Sequence, residues 1–179
     1  MRIVITGTPG TGKTKIAAKL ARILRIKPIF IKDIVEKEKI YKVKEKEKIV
    51  GVKVLENVLM EKLKDEKNYV VEGHLACEMK LPCDYIFVLR THPDELKKRI
   101  SKRKYQPEKL EENLMSEMLD YCVQRTKKVY GTKPVEIDTT GTTIEASAGR
   151  MAKMIKNKKK KGDSVDYSAE LMKYLRLTK

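Results

Sequence analysis

Chemistry is concentrated at the start of this chain, in Gly7-Thr8-Pro9-Gly10-Thr11-Gly12-Lys13-Thr14, a GxxxxGK[ST] run entered from the apolar stretch Ile3-Val4-Ile5. Glycines at these positions let the backbone bend tightly and turn successive N–H groups inward around an anion. A helix opening at Gly12 or Lys13 aims its positive end at the same anion. The Lys13 ammonium suits the β- and γ-phosphates of a nucleoside triphosphate, and the Thr14 hydroxyl suits Mg²⁺. A purely structural glycine turn does not account for Lys-Thr at this offset.

Three further groups have the right types to work with a phosphate cradle. Glu72 closes the buried run Tyr69-Val70-Val71, where a P-loop protein carries the acid that holds Mg²⁺ through water or orients a nucleophilic water. His74 follows two residues on, either to orient an attacking water or acceptor phosphate or as a loop histidine bonded to backbone. Arg99 and Arg103 lie four apart, so they share one helix face. Planar guanidinium forks suit the charge that spreads over a transferred phosphoryl group; the plainer reading is two surface arginines. Arg90 ends a strand and either meets phosphate or caps the strand. His92, before Pro93, reads as a turn residue.

Short apolar runs alternate with helical spacing, the pattern of a parallel α/β sheet with helices on both faces. Strands are expected at Arg2 to Thr6, Pro28 to Ile31, Tyr69 to Val71, Asp84 to Leu89 and Pro134 to Asp138. A helix with Ile16, Ala17, Leu20 and Leu24 inward follows the P-loop. Asp33 is placed to cap a short helix through Ile40. Lys42 to Lys48 reads as a solvated turn or helix face, and Val52, Leu55, Leu59 and Leu63 as one helix. Helices are expected from Pro93 to Lys104, from Pro107 to Lys127 with Leu110, Leu114, Met118 and Tyr121 inward, and from Thr142 to Lys156. The run Lys156 to Gly162 reads as a flexible linker before a short amphipathic helix, Ser168 to Leu177.

With 179 residues the chain has room for one well-buried domain. No apolar run approaches a membrane span. The P-loop strand opens at once, so no leader segment is expected. Cys77, Cys83 and Cys122 form no CxxC pair, which argues against a disulfide framework or a zinc site and for a reducing cytoplasm. The 41 basic against 25 acidic residues give a formal charge of +16. Such an excess attracts polyanions such as RNA, or is the lysine-rich surface that thermophile proteins carry.

Among P-loop proteins, GTPases add a guanine-reading NKxD, which is missing here. Small-molecule and nucleotide kinases place an acceptor-binding insert after the second strand and arginines on a lid after the fourth, as this chain does. The ordered set of the P-loop, Ile31-Lys32-Asp33-Ile34, Val71-Glu72-Gly73-His74, Phe87-Val88-Leu89-Arg90-Thr91, Arg99-Ile100-(x2)-Arg103-(x)-Tyr105 and Glu111-Glu112-Asn113 resembles the adenylate kinase isoenzyme six family, the archaeal and eukaryotic nuclear type. The resemblance covers residues 1–155. It implies a P-loop NTPase fold of three α/β/α layers about a five-stranded parallel sheet, with an acceptor insert at 30–53, a short lid at 103–113 and a basic linker and helix at 156–179. It implies phosphoryl transfer from ATP to AMP or another nucleoside monophosphate with Mg²⁺, ATPase activity, and a role in maturing the small ribosomal subunit through its platform protein S-eleven. Carried over, Gly10, Thr11, Gly12, Lys13, Thr14, Lys15 and Arg103 bind ATP. Asp33 and Lys37 serve the acceptor, Thr14 and Glu72 the metal, and Lys13, Glu72, His74, Arg99 and Arg103 catalysis.

The chain departs from the family in three places. Glu72 stands where aspartate is usual, Glu36-Lys37 where many adenylate kinases have an arginine, and the tail from Lys156 has no assigned equivalent. Lysine binds phosphate as a point charge without a bidentate fork, so tight AMP selectivity is in doubt. A lid of about ten residues shields water poorly, which favours ATP hydrolysis. The competing reading is an ATP-driven ribosome assembly factor binding a ribosomal protein or rRNA, with kinase activity secondary. A carboxylate-binding metabolite kinase such as shikimate kinase is disfavoured, because no arginine lies between Phe30 and Lys67.

Overall fold

The computed structural model describes residues 1–44, 47–102 and 106–177. Five parallel strands, β1 (Arg2–Gly7), β2 (Lys27–Phe30), β5 (Tyr69–Glu72), β6 (Tyr85–Arg90) and β7 (Val135–Asp138), form one sheet in the order β2-β5-β1-β6-β7. The crossover from β1 to β2 skips a place that β5 later fills. Glu72 thus lies beside Ile5 on β1 and Phe30 on β2.

Both sheet faces are covered, so the central strands are apolar throughout rather than alternating. Ile3, Ile5, Val70, Phe87 and Leu89 point to one face, against α1 (Lys13–Leu24) and α7 (Ile144–Lys156) through Ile16, Leu20, Ala148 and Met151. Val4, Val71 and Ile86 point to the other, against α2 (Ile31–Lys37) and α3 (Val52–Leu63) through Val35, Leu55 and Leu59. The expected five-stranded α/β/α core is present, with strand bounds within a residue or two of the expected ones.

Four local expectations change. Lys42 to Lys48 is not a simple turn or helix face: β3 (Tyr41–Lys44) and β4 (Glu47–Val50) pair antiparallel in a hairpin. Its Lys48 ammonium lies 4.2 Å from the Tyr41 ring centre and pairs with Glu36 of α2. Charged residues tolerate a two-stranded ribbon because both its faces meet water. Asp33 lies in the first turn of α2 rather than capping it; Phe30 occupies the cap position. The helix expected from Pro107 to Lys127 is two, α5 (Pro107–Met118) and α6 (Tyr121–Tyr130), broken where Asp120 takes a left-handed φ of 54°. Aspartate tolerates that conformation better than most residues. Leu114 and Met118 are core as expected, but the break swings Tyr121 out to 47% exposure, where it bonds Glu78.

The fourth change is the tail. After the lysine run, the chain returns along β7: Asp163 N–H donates to Glu136 O at 2.9 Å, and the Asp163 carboxylate accepts from Asp138 N and from both Arg150 terminal nitrogens. A Cβ on Gly162 would sit 2.3 Å from Glu136 O, so only glycine fits this approach. Tyr167, 5% exposed, and α8 (Ser168–Leu177) then pack on α4 (Pro93–Ser101) and α5. The lysines of the run Lys156 to Lys161 are exposed, and the chain docks from Gly162 onward.

Candidate active site

The site forms at the C-terminal ends of β1, β5, β6 and β7. Gly10 and Gly12 have φ of 106° and 90°, the left-handed region that L side chains avoid. Gly10 also abuts Leu96 and Ile100 of α4, where a Cβ would come within 2.7 Å of both side chains. Lys13, 6% exposed, curls back to donate from Nζ to Thr8 O at 2.9 Å. Its ammonium is thus held at the mouth of the loop, with Thr11 also bonded to Thr8 O through Oγ1. Lys15 is exposed on the first turn of α1.

Glu72 meets the P-loop directly: Thr14 Oγ1 donates to Glu72 Oε2 at 3.0 Å. Burial raises the Glu72 pKa, the Lys13 charge and the Thr14 hydroxyl draw it back, and Asp33 adds to the rise. Asp33, though exposed on α2, is therefore near enough for its charge to reach Glu72. Lys37 is exposed one turn further along the same helix.

His74 opens a 3₁₀ turn (His74–Glu78). Its carbonyl is fixed from two sides, by Thr6 Oγ1 at 3.1 Å and Cys77 Sγ at 3.2 Å. The imidazole is solvent-accessible yet crowded by surrounding protein. That burial, with the positive charges of Lys13 and Lys109, lowers its pKa to about 4. The ring is neutral at pH 7 and able to accept a hydrogen bond. Lys109 belongs to α5, so the first turns of α5 face the P-loop side of the cleft.

Arg99 is engaged at the rim of the site. It pairs with Glu95, donates to Thr139 O at 2.9 Å and touches the Thr91 and Thr139 hydroxyls at 3.3 Å. Arg103, with Tyr105, lies outside the described residues. Arg90 neither faces phosphate nor caps its strand. It is 1% exposed and bonded to Glu117, Asp120 and Glu136, with the Tyr167 ring 5.1 Å from its guanidinium carbon. Burial disfavours its charge, but Glu117 and Asp120 outweigh that and raise its pKa. His92 does more than turn the chain. Its Nδ1 accepts from Asp94 N at the start of α4, leaving Nε2 to donate to Glu170 of α8 at 3.3 Å.

Residue-by-residue reading missed Thr139. Its hydroxyl, 2% exposed, lies within bonding distance of Thr11 O, Arg90 O and Thr91 Oγ1, joining the P-loop to two strand ends. The only trace in the sequence is the hydroxyl-rich run Thr139-Thr140-Gly141-Thr142 after the last strand.

The donors at Thr14 and Glu72 are hard oxygens, the kind Mg²⁺ takes in ones and twos while phosphates and waters fill the rest of its shell. Among the described residues there is no group of three or more histidine, cysteine or acidic side chains that could hold a metal.

A glycine-lined loop, a helix N-terminus, a buried lysine and a threonine–acid pair define a P-loop nucleotide-binding site, and the AAA domain family model matches residues 3–120. The chain belongs to that family and to the archaeal family whose curated members carry the name Putative adenylate kinase. The Methanocaldococcus jannaschii member is 39% identical over 99% of this chain and 98% of its own. The Pyrococcus furiosus member is 35% identical with the same coverage. Both matches take in the C-terminal segment. Among solved structures, shikimate kinase from Acinetobacter baumannii in complex with shikimate superposes with a TM-score of 0.66 at 21% identity, over 88% of this chain and 94% of that one. An uncharacterized protein from Eubacterium ventriosum gives 0.55 at 19%, over 88% and 98%. At these identities the likeness is one of fold.

Proposed function

We propose that this chain transfers the γ-phosphoryl group of ATP to a nucleoside monophosphate, AMP first (ATP + AMP = 2 ADP), and hydrolyses ATP when no acceptor is bound. The observation that carries this reading is the contact between Thr14 Oγ1 and Glu72 Oε2 at 3.0 Å beside the Lys13 ammonium. Two hard oxygen donors and an ammonium beside the P-loop support a site for a magnesium-bound triphosphate. Family membership supports the reading, since curated members are named for adenylate kinase.

In this reading the P-loop amides and Lys13 hold the triphosphate, with Lys13 leaving Thr8 O to do so. Gly10, Thr11, Gly12, Thr14 and Lys15 complete the ATP contacts. Thr14 and Glu72 hold Mg²⁺, which supplies charge neutralisation on the phosphates. Neutral His74 accepts a hydrogen bond from the attacking water or orients the acceptor phosphate. Asp33 and Lys37 of α2 face the acceptor. Arg99 steadies the rim, and Arg103 closes from the lid. In-line transfer needs little else from the protein than such positioning and charge.

The test is ADP production with AMP, CMP, UMP or no acceptor. AMP is expected to raise turnover above the acceptor-free rate, and Lys13→Ala to lower both rates about a hundredfold or more. Turnover indifferent to every monophosphate would remove the kinase reading and leave the ATPase.

A second reading, an ATPase assisting small-subunit maturation through rRNA or a platform protein, draws on the exposed lysines at 156 and 158–161, on Lys15 and Arg22 of α1 and on Arg25 at its C-terminal cap. RNA affinity falling steeply with salt, with a slope reduced by neutralising that lysine run, is its signature.

A further inference from the structure

Glu72 and His74 flank Gly73, and helix α2 leans on that glycine through Ile31, its first residue. Ile31 is 3% exposed. A Cβ on Gly73 would lie 2.8 Å from Ile31 Cβ, 2.9 Å from its Cδ1 and 3.1 Å from its Cγ1. Gly73 has an extended backbone, with φ of 171° and ψ of 152°, which any residue adopts. What is missing is room. The nearest atom is a branched Cβ, stiff in its helix, and not the far end of a flexible chain.

The two sides of this contact are held differently. On the sheet side, Gly73 N–H donates to Ile5 O at 3.2 Å, Gly73 O accepts from Ala76 N at 3.1 Å, and His74 O accepts from Thr6 Oγ1. Glu72 lies in the sheet beside Ile5 and accepts from Thr14. These ties come from β1, from the turn itself and from the P-loop. On the other side, α2 is seven residues long and buries only Ile31 and Val35, which lie four apart. Asp33 and Lys37, also four apart, share its exposed side. Crowding at the contact therefore shifts α2, with Asp33 and Lys37, and leaves Glu72 in register with the P-loop.

We propose that Gly73 is a positioning residue for the phosphoryl acceptor: its bare Cα seats Ile31 and so sets the distance of α2 from Glu72 and His74. Transfer to an acceptor held by Asp33 and Lys37 depends on that distance. Transfer to water does not, because water needs no seat on α2. Gly73 thus sets the partition between transfer and hydrolysis, a role that rests on the nucleoside monophosphate reading above.

The experiment assays the full chain with ATP, Mg²⁺ and AMP, counting inorganic phosphate for hydrolysis and ADP in excess of phosphate for transfer. Calorimetry measures AMP and ATP binding separately. In Gly73→Ala, AMP affinity and transfer should both fall about tenfold or more, with ATP affinity and acceptor-free phosphate release unchanged. Adding Ile31→Ala to Gly73→Ala removes Cγ1 and Cδ1 from the crowded side. It should restore much of the transfer rate, a coupling that independent sites do not show. Leu63→Ala truncates the same apolar cluster at the far end of α3 and should lower the thermal midpoint without changing the ratio of transfer to hydrolysis. Equal losses of transfer and hydrolysis in Gly73→Ala, unchanged transfer, or no rescue by the paired replacement would each overturn the role. A parent that makes no ADP beyond its phosphate sinks the transfer reading instead. Calorimetry then decides the role of the contact: AMP weakened by Gly73→Ala with ATP unaffected upholds it, and any other result, absent AMP binding included, ends it.

Discussion

Thr139 Oγ1 lies 3.2 Å from the P-loop carbonyl of Thr11, although 128 residues separate them in sequence. The same threonine accepts from Arg99 Nη2 on its own carbonyl at 2.9 Å. One buried residue thus relates the phosphate loop to the rim arginine. Thr139→Val keeps the shape and removes the hydroxyl. We expect stability to fall by about 0.5–1.5 kcal/mol, the net worth of one hydrogen bond, and kcat to fall about tenfold with little change in the KM for ATP. Thr139→Ser should restore most of the rate, which simple loss of packing would not explain.

Arg90 should respond far more severely. Arg90→Met leaves Glu117 and Glu136 buried without their partner. Removing one side of such a network costs about 3–5 kcal/mol, read as a lowered midpoint in urea unfolding. A milder loss with Glu136→Gln is expected, since Glu117 and Asp120 still face the guanidinium.

Acid should weaken the fold through His74. Its folded pKa of about 4 lies below the ordinary histidine value of 6.5, so between these values the unfolded chain binds more protons than the folded one. Stability from this group is full above about pH 6.5 and declines as pH falls toward 4. Glu72, with a raised pKa, acts with the opposite sign: stability is lost as pH rises through its folded value. Urea unfolding of His74→Gln at several pH values should show a shallower loss between pH 6.5 and 4 than the parent. Equal slopes would refute the assignment.

Gly162 tests the docking of the tail. Gly162→Ala forces a methyl against Glu136 O and should cost about 1–3 kcal/mol, as overpacking does. Because Tyr167 and α8 follow and share a cluster with Leu96 and Ile100 of α4, the thermal midpoint should fall together with turnover. A free linker would tolerate alanine at this position without loss.

How far the sequence reveals this site differs residue by residue. That Lys13, Thr14 and Glu72 meet at one loop was legible because the signals that place them are local. A glycine spacing bends one loop, and an acid after an apolar strand comes to lie at that strand's end. Tyr121 was misread because helical periodicity runs through Asp120 unchanged, while the backbone turns left-handed there. Arg90 was open because a strand-end arginine looks the same whether it meets a ligand or three carboxylates, and those carboxylates come from two other elements.

Glycine placement and the alternation of short apolar runs with helical segments follow from short-range sterics and burial, so the chain's own letters determine the α/β class and the phosphate loop. The strand order, Thr139 beneath Thr11, the carboxylates around Arg90 and the docked tail depend on contacts between elements far apart in sequence. Only the folded chain decides these, because no local pattern records which distant side chain will fill a given space.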